Sequence, residues 1–154
     1  MKKKITALVM AAAMCLSVAA CGSSDNGGSG DTAKDTYTVG ICQLVQHQAL
    51  DAATQGFKDA LKEELGDKVE FVEQNAANDI PTCGTICNGF VSDGVDLIMA
   101  NATAALTAAA AATSDIPILG TSITAYGVAL DLDDFNGTVG GNISGTSDLA
   151  DLEA

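Results

Sequence analysis

Residues 38–65 read TVGICQLVQHQALDAATQGFKDALKEEL, and within this stretch the hydrophobic period changes once. Thr38 to Val45 is short, β-branched and apolar, as a buried strand is. From Gln48 onward Leu50, Ala53, Phe57, Leu61 and Leu65 fall three and four apart, which places them on one face of a helix. A strand, a short polar turn and an amphipathic helix make one βα unit, and the rest of the chain repeats it. Gly66 stands where a helix C′ residue belongs, and Lys68 to Gln74 (KVEFVEQ) alternates as a second strand. Asp79 is placed to cap a helix with Pro81 in its first turn, and Ile80, Cys83, Ile86, Cys87, Phe90 and Val91 form its apolar stripe, ending near Gly94. Val95 to Ala100 (VDLIMA) reads as a third strand. Thr103 to Thr113 reads as a helix so rich in Ala that it must pack very close to its neighbours, and Ile116 to Gly120 as a fourth strand. Gly127 to Gly141 has turn signals at Asn136-Gly137 and Gly140-Gly141 but no clear period, and Asn142 to Gly145 is a candidate fifth strand. Four βα units in a row predict an α/β fold, a parallel sheet flanked by helices on both faces.

The first twenty residues are of another kind. They hold Lys2, Lys3 and Lys4, no acid, and an unbroken run of apolar and small residues from Ile5 to Ala20. A basic start, an Ala-rich apolar run and small residues at Ala19 and Ala20 predict a secretion signal over residues 1–20. Val18-Ala19-Ala20-Cys21 resembles the bacterial lipobox, which predicts cleavage before Cys21 and acylation of its thiol; Cys15 is the rival position, disfavoured by the larger Met14 before it. Gly22 to Asp35 (GSSDNGGSGDTAKD) is a Gly/Ser/Asp leash with almost nothing to bury, so residues 21–36 predict a lipidated Cys and a flexible linker holding the domain about 20 Å from a bilayer. The expected localisation is exported, lipid-anchored to the outer face of the cell membrane.

Without those twenty residues the chain has 134 residues, four Lys, no Arg and twenty acids, a net charge of −16. Phosphate recognition runs on clustered Lys and Arg, so nucleic acid and anionic lipid head groups are excluded as ligands. The length fits one domain, and 47% apolar residues suffice for a core, though 4% aromatics and no Trp make it a small-residue core.

Ligands of a parallel α/β sheet collect where strand ends lead into helix N-termini. Here those positions are Leu44 to Gln48, Gln74 to Asn78, Asn101 to Thr103 and Thr121 to Tyr126. They carry Gln, Asn, Thr, Ser, one His and one Tyr, with no cluster of catalytic acids, a set suited to holding a small molecule rather than breaking one; the chain is not expected to be an enzyme.

Three segments carry a more specific signal: VGICQLVQHQALDAATQGFKDAL, VEFVEQNAANDIPTCGTICNGFVSDGVDLIMANATAAL and IPILGTSIT. In order and spacing they resemble the substrate-binding lipoproteins of bacterial ABC transporters, the group that takes up tryptophan, tyrosine and related small solutes, from Thr38 to Asp148. The resemblance implies a type I periplasmic-binding fold, two flavodoxin-like α/β lobes that close on a small, amino acid-like solute, with an ABC permease and ATPase as partners, a membrane attachment through the lipid, and no cofactor. Residues 37–148 would be the first lobe and residues 149–154 a truncated crossover, with the second lobe missing and the chain an N-terminal fragment. Carried over position by position, the ligand-facing motifs of the first lobe fall on Gln46, His47, Leu50, Gln74, Asn75, Asn101, Thr103, Ser122 and Thr124. The family pattern continues Asp-Pro after Thr124, where this chain has Ala125-Tyr126.

Plainer roles stand beside these. His47 and Asn101 are each placed to cap a helix, and Asp51 in a first turn is explained by the helix dipole alone. Asn101 and Thr103 with free helix N–H groups also suit a carboxylate. Cys83 and Cys87 share the buried stripe of their helix, and Cys42 lies in the first strand; they read as core residues, with no second pair to complete a metal site. No G-x-G-x-x-G or P-loop pattern follows any strand. Other functions compatible with the fold are a sensory ligand-binding lipoprotein, or a flavodoxin-like enzyme or electron-transfer domain, the last lacking the Ser/Thr/Gly-rich first loop it needs.

Overall fold

The computed structural model describes residues 34–148. The expected signal, Cys21, most of the linker and the crossover at 149–154 lie outside the described residues. The elements run β1 (Tyr37–Gln43), α1 (Gln48–Leu65), a 3-10 turn (Gly66–Lys68), β2 (Val69–Asn75), α2 (Ile80–Asp93), β3 (Leu97–Asn101), α3 (Thr103–Ala112), β4 (Ile118–Ile123), α4 (Tyr126–Ala129) and β5 (Ile143–Ser147). The five strands form one sheet in the order β2-β1-β3-β4-β5, every pair parallel. The predicted α/β architecture is therefore the observed one.

Strand alternation divides the core in two. Val39 and Ile41 of β1, Val69 of β2 and Met99 of β3 bury one face of the sheet, covered by Phe57, Leu61 and Leu65 of α1. Cys42, Ile98, Ala100 and Ile118 bury the other, under Cys83, Ile86, Cys87 and Phe90 of α2 and Ala105, Leu106 and Ala109 of α3. The alanine face of α3 is fully buried, with Ala105 and Ala109 at 0% exposure, as its composition demands. Close approach also fixes Gly40 on β1, since a Cβ there would stand 2.7 Å from the Phe90 ring.

The helix ends follow from local chemistry. His47 caps α1 with its side chain, Asp79 caps α2 by accepting from the Thr82 N–H at 3.0 Å, and Gly94 ends α2 at φ 67. The strand boundaries differ from the sequence reading, with β3 starting at Leu97 rather than Val95 and β5 ending at Ser147 rather than Gly145; β1 and β4 differ most. Leu44 and Val45 lie beyond β1, although the Leu44 N–H still donates to the Asn101 carbonyl at 3.2 Å. β4 starts after Pro117 and runs to Ile123 through an irregularity between Gly120 and Ile123, where Ser122 takes φ 57. Lys34 forms an ion pair with Asp96, which also accepts from the Thr38 N–H at 2.8 Å.

Candidate functional site

Parallel pairing brings the carboxyl ends of all the strands to one edge, and the connections following β1 to β4 leave from it. After β1, His47 is exposed and its Nδ1 accepts from the Ala49 N–H at 3.2 Å. That bond makes Nδ1 the acceptor, so the ring proton of neutral His47 sits on Nε2 and is available as a donor. Gln46 is exposed beside it. After β2, the Asn75 side-chain oxygen accepts from the Ala77 N–H at 2.8 Å, and Ala77 and Asn78 take the left-handed conformation at φ 52 and 65. Gln74 is exposed on the β2 edge strand.

After β3 the chain is strained. Ala102 adopts φ 91 and ψ 157, a region that suits glycine, and it supplies no side-chain cap to α3. The first-turn N–H groups of α3, starting at the exposed Thr103, therefore have no side-chain acceptor of their own. The Ala102 N–H donates to the Thr121 carbonyl at 3.0 Å, which sets this strained corner beside the Ser122 bulge on β4. Thr124 follows, exposed, and its carbonyl accepts from the Ser147 hydroxyl at 3.2 Å.

Asn101 is not on the outer edge. It is 0% exposed and its Nδ2 donates to the Leu50 carbonyl at 2.8 Å and the Thr54 hydroxyl at 2.9 Å, so it ties the end of β3 to α1. Its Oδ1 is a buried acceptor without a protein partner, a cost of about 1–3 kcal/mol. Leu50 is half-buried and contributes that backbone carbonyl.

Three concavities open along this end. One of about 650 Å³ is lined by Leu44, Ile80, Ala102, Thr103, Thr107 and Ser122. A polar one of about 450 Å³ holds Gln43, Gln46, Asp51, Glu73 and Asn75. The third, about 750 Å³, lies by Thr124, Tyr126, Val128, Leu132, Phe135 and Ser147. Of the nine residues named from the sequence, Thr103 and Ser122 share the first, Gln46 and Asn75 the second, and Thr124 lines the third; His47, Leu50, Gln74 and Asn101 line none of these three. Sequence reasoning placed Ile80 in the buried stripe of its helix, whereas it is 65% exposed and lines the first concavity, and it did not single out Ala102 or Phe135.

The Ala125-Tyr126 departure has a structural cause. Tyr126 is 7% exposed and its hydroxyl donates to the Gly120 carbonyl at 2.9 Å, in a space that a Cβ on Gly120 or Gly145 would fill. Burial pushes the Tyr126 phenol up from its ordinary value. The cysteines among the described residues are core residues: Cys42, Cys83 and Cys87 are each 0% exposed. Among the described residues no group of three or more His, Cys, Asp or Glu is arranged to hold a metal ion.

The family described as ABC transporter substrate binding protein matches residues 38–154. A tyrosine-binding protein of Clostridioides difficile (strain R20291) is 38% identical over 163 aligned positions, covering 98% of this chain and 46% of the relative. Among solved structures, the ligand-free, open form of a substrate-binding protein with adhesive properties from Clostridium difficile is 42% identical, with a TM-score of 0.70 over 76% of this chain and 40% of that one. An ABC domain in complex with L-Trp from Streptococcus pneumoniae is 32% identical, with a TM-score of 0.66 over 73% and 38%. This chain thus spans less than half the length of each of these relatives, and its resemblance, read first from three segments, is borne out over the whole folded part. With the parallel sheet and the polar strand ends in place, the chain belongs to the ABC transporter substrate binding protein family.

Proposed function

We propose that residues 37–148 supply one wall of a solute cleft, in the extracytoplasmic binding component of an ABC importer, and that the solute is a small amino acid. The observation that carries this is the uncapped start of α3 beside Ser122, in a concavity of about 650 Å³. Free helix N–H groups with the Thr103 hydroxyl suit a carboxylate, through both hydrogen bonding and the helix dipole. The apolar lining from Leu44 and Ile80 suits a hydrophobic side chain, and the relatives bound to or named for Trp and Tyr are consistent with an aromatic one. Of the nine residues, Thr103 and Ser122 are the proposed direct contacts, and Gln46, His47 and Thr124 the proposed outer rim. Gln74 and Asn75 belong to a more distant polar margin, while Leu50 and Asn101 act through the backbone and the interior.

A single wall leaves much of a ligand in water, whereas small-molecule sites bury most of it. The proposed affinity of this chain alone is therefore in the millimolar range, about 4 kcal/mol. Permease and ATPase subunits are the proposed partners, and the Cys21 thiol the proposed site of lipid attachment, resting on the basic, apolar and small-residue pattern of residues 1–21.

Two experiments test the reading. Titration of the full chain with L-tryptophan, L-tyrosine and charged amino acids, followed by amide NMR, is expected to shift Thr103 to Ala105 and Leu44 to His47. Shifts confined to other surfaces, or none with any amino acid at its solubility limit, reject the cleft. For the anchor, an alkynyl fatty acid fed to expressing bacteria is expected to label the chain and not its Cys21→Ala variant; equal labelling of the two rejects it.

A further inference from the structure

Gln43, Thr54 and Asn101 are the three buried polar side chains among the described residues, at 3%, 3% and 0% exposure, and all three belong to one hydrogen-bonded network. Such a concentration is informative, because a buried polar group costs stability wherever an apolar one would serve. The network sits where β1 and β3 end and α1 begins. The Thr54 hydroxyl donates to Gln43 Oε1 at 2.7 Å and accepts from Asn101 Nδ2 at 2.9 Å. With its oxygen so engaged, the Gln43 amide has one orientation, and its Nε2 donates to the Val45 carbonyl at 2.9 Å and to Asp51 Oδ1 at 2.6 Å. Those two acceptors bracket His47, whose own carbonyl receives the Asp51 N–H at 2.8 Å.

We propose that Thr54 and Gln43 are positioning residues for ligand capture: through the fixed Gln43 amide they hold the β1–α1 loop, and with it Leu44 and His47, in the conformation that meets solute. The proposal rests on the cleft reading above. Leu44 is also held by its N–H, which donates to the Asn101 carbonyl at 3.2 Å, and by its carbonyl, which accepts from the Asn78 N–H at 2.8 Å, and His47 caps α1. Between them the loop is tied to the interior at Val45 through this anchor, with Gln46 and His47 both exposed. Removing the Thr54 hydroxyl leaves Gln43 Oε1 with only the longer contact from Asn101 Nδ2, at 3.4 Å, which loosens the Gln43 amide and its hold on Val45 and Asp51 together. If the loop then holds its bound form in about one-tenth of molecules, apparent affinity falls about tenfold.

His47 is the chain's one histidine, so its ring reports on the loop without ambiguity. The test compares the full chain with Thr54→Val, Thr54→Ser and Leu61→Ala, the last removing core contact from the same helix away from the network. The 15N signals of the His47 ring are read at a pH where the ring is neutral, and binding is read with L-tryptophan. In the parent chain and in Thr54→Ser the Nδ1 signal is expected at the unprotonated acceptor position. In Thr54→Val it is expected to move toward the average of the two tautomers, with tryptophan affinity about tenfold weaker. Leu61→Ala is expected to lower the melting temperature while leaving the ring signal in place. An unchanged His47 signal in Thr54→Val, or the same movement in Leu61→Ala, overturns the proposal. Because the ring signal needs no ligand, absence of tryptophan binding in the parent chain rejects only the cleft reading, and the loop-holding role still stands or falls on His47.

Discussion

Replacing Gly40 by Ala tests the contact that seats α2 on the sheet. The added Cβ would lie 2.7 Å from Cγ and Cδ2 of Phe90 and 3.0 Å from Cδ1. Carbon atoms rest at about 3.5–4.0 Å, so the ring must retreat by about 1 Å. It has nowhere to go, being 0% exposed in the core shared by Cys83, Ile86 and Ile98. Overpacking of this kind costs about 1–3 kcal/mol. Against it stands the smaller conformational freedom of an unfolded Ala, a gain of about 0.4–1 kcal/mol. The net expectation is a loss of about 1–2 kcal/mol, a large share of the stability of a small domain. Urea unfolding reads it as a lower midpoint with an unchanged slope. The contact itself is isolated by adding Phe90→Leu: the double variant should be less destabilised than the two single losses combined, with a coupling of about 0.5–3 kcal/mol. A Gly40→Ala midpoint at or above that of the parent, or simple additivity, refutes the reasoning. The consequence reaches the site, since α2 begins at Ile80, which lines the same concavity as Thr103.

Three further expectations follow from individual side chains. Asp79→Ala removes the α2 cap on the Thr82 N–H and should cost about 1 kcal/mol in urea unfolding, with Asp79→Asn retaining most of it; an Ala variant as stable as the parent shows that the cap is idle. The Asp96 carboxyl is held below its usual range by Lys34 and then by the Thr38 N–H, so its contribution is present above the unfolded carboxylate's titration and is lost as pH falls through the lower folded value. Asp96→Asn should therefore flatten the acid limb of the urea midpoint against pH, and an acid limb of unchanged shape refutes that assignment. Cys42 is held protonated, first by its hydrogen bond with Cys87 and then by burial, and Cys83 by burial; Cys87 is drawn down by its hydrogen bond with Cys42 but is 0% exposed, so none of these three thiols should react with iodoacetamide until denaturant is added, and rapid labelling at any of the three positions in the native chain contradicts the packing.

What the sequence disclosed, and what it concealed, divides along one physical line. Helices α1 and α2 were legible to the residue because period and caps agree: Gln48 to Leu65 carries one apolar stripe, and Asp79 with Pro81 opens a helix that Gly94 closes. The site was legible as an edge and less so as a set of side chains. Asn101 stands at a strand end, where polar residues suggest ligand contact, yet β3 alternation puts it on the face of Met99, beneath α1, just as Gln43 shares the face of Val39 and Ile41. Parity alone was enough to move both inward. No such signal exists for Ala102 or Ser122, since neither residue announces a positive φ as Gly does. Each such conformation costs about 1–3 kcal/mol, and Ala102, just past the end of β3, is joined to β4 beside Ser122 by its N–H, which donates to the Thr121 carbonyl. Glycine would relieve both, as it does at Gly94, where φ is 67 at the end of α2, while at Gly40 under Phe90 and Gly120 beside Tyr126 it serves close packing. Positive φ at non-glycine residues also marks the turn after β2, at Ala77 and Asn78, so strain recurs where the chain leaves the strand ends, and at Ala102 it orients the α3 N–H groups, the feature on which solute capture would depend.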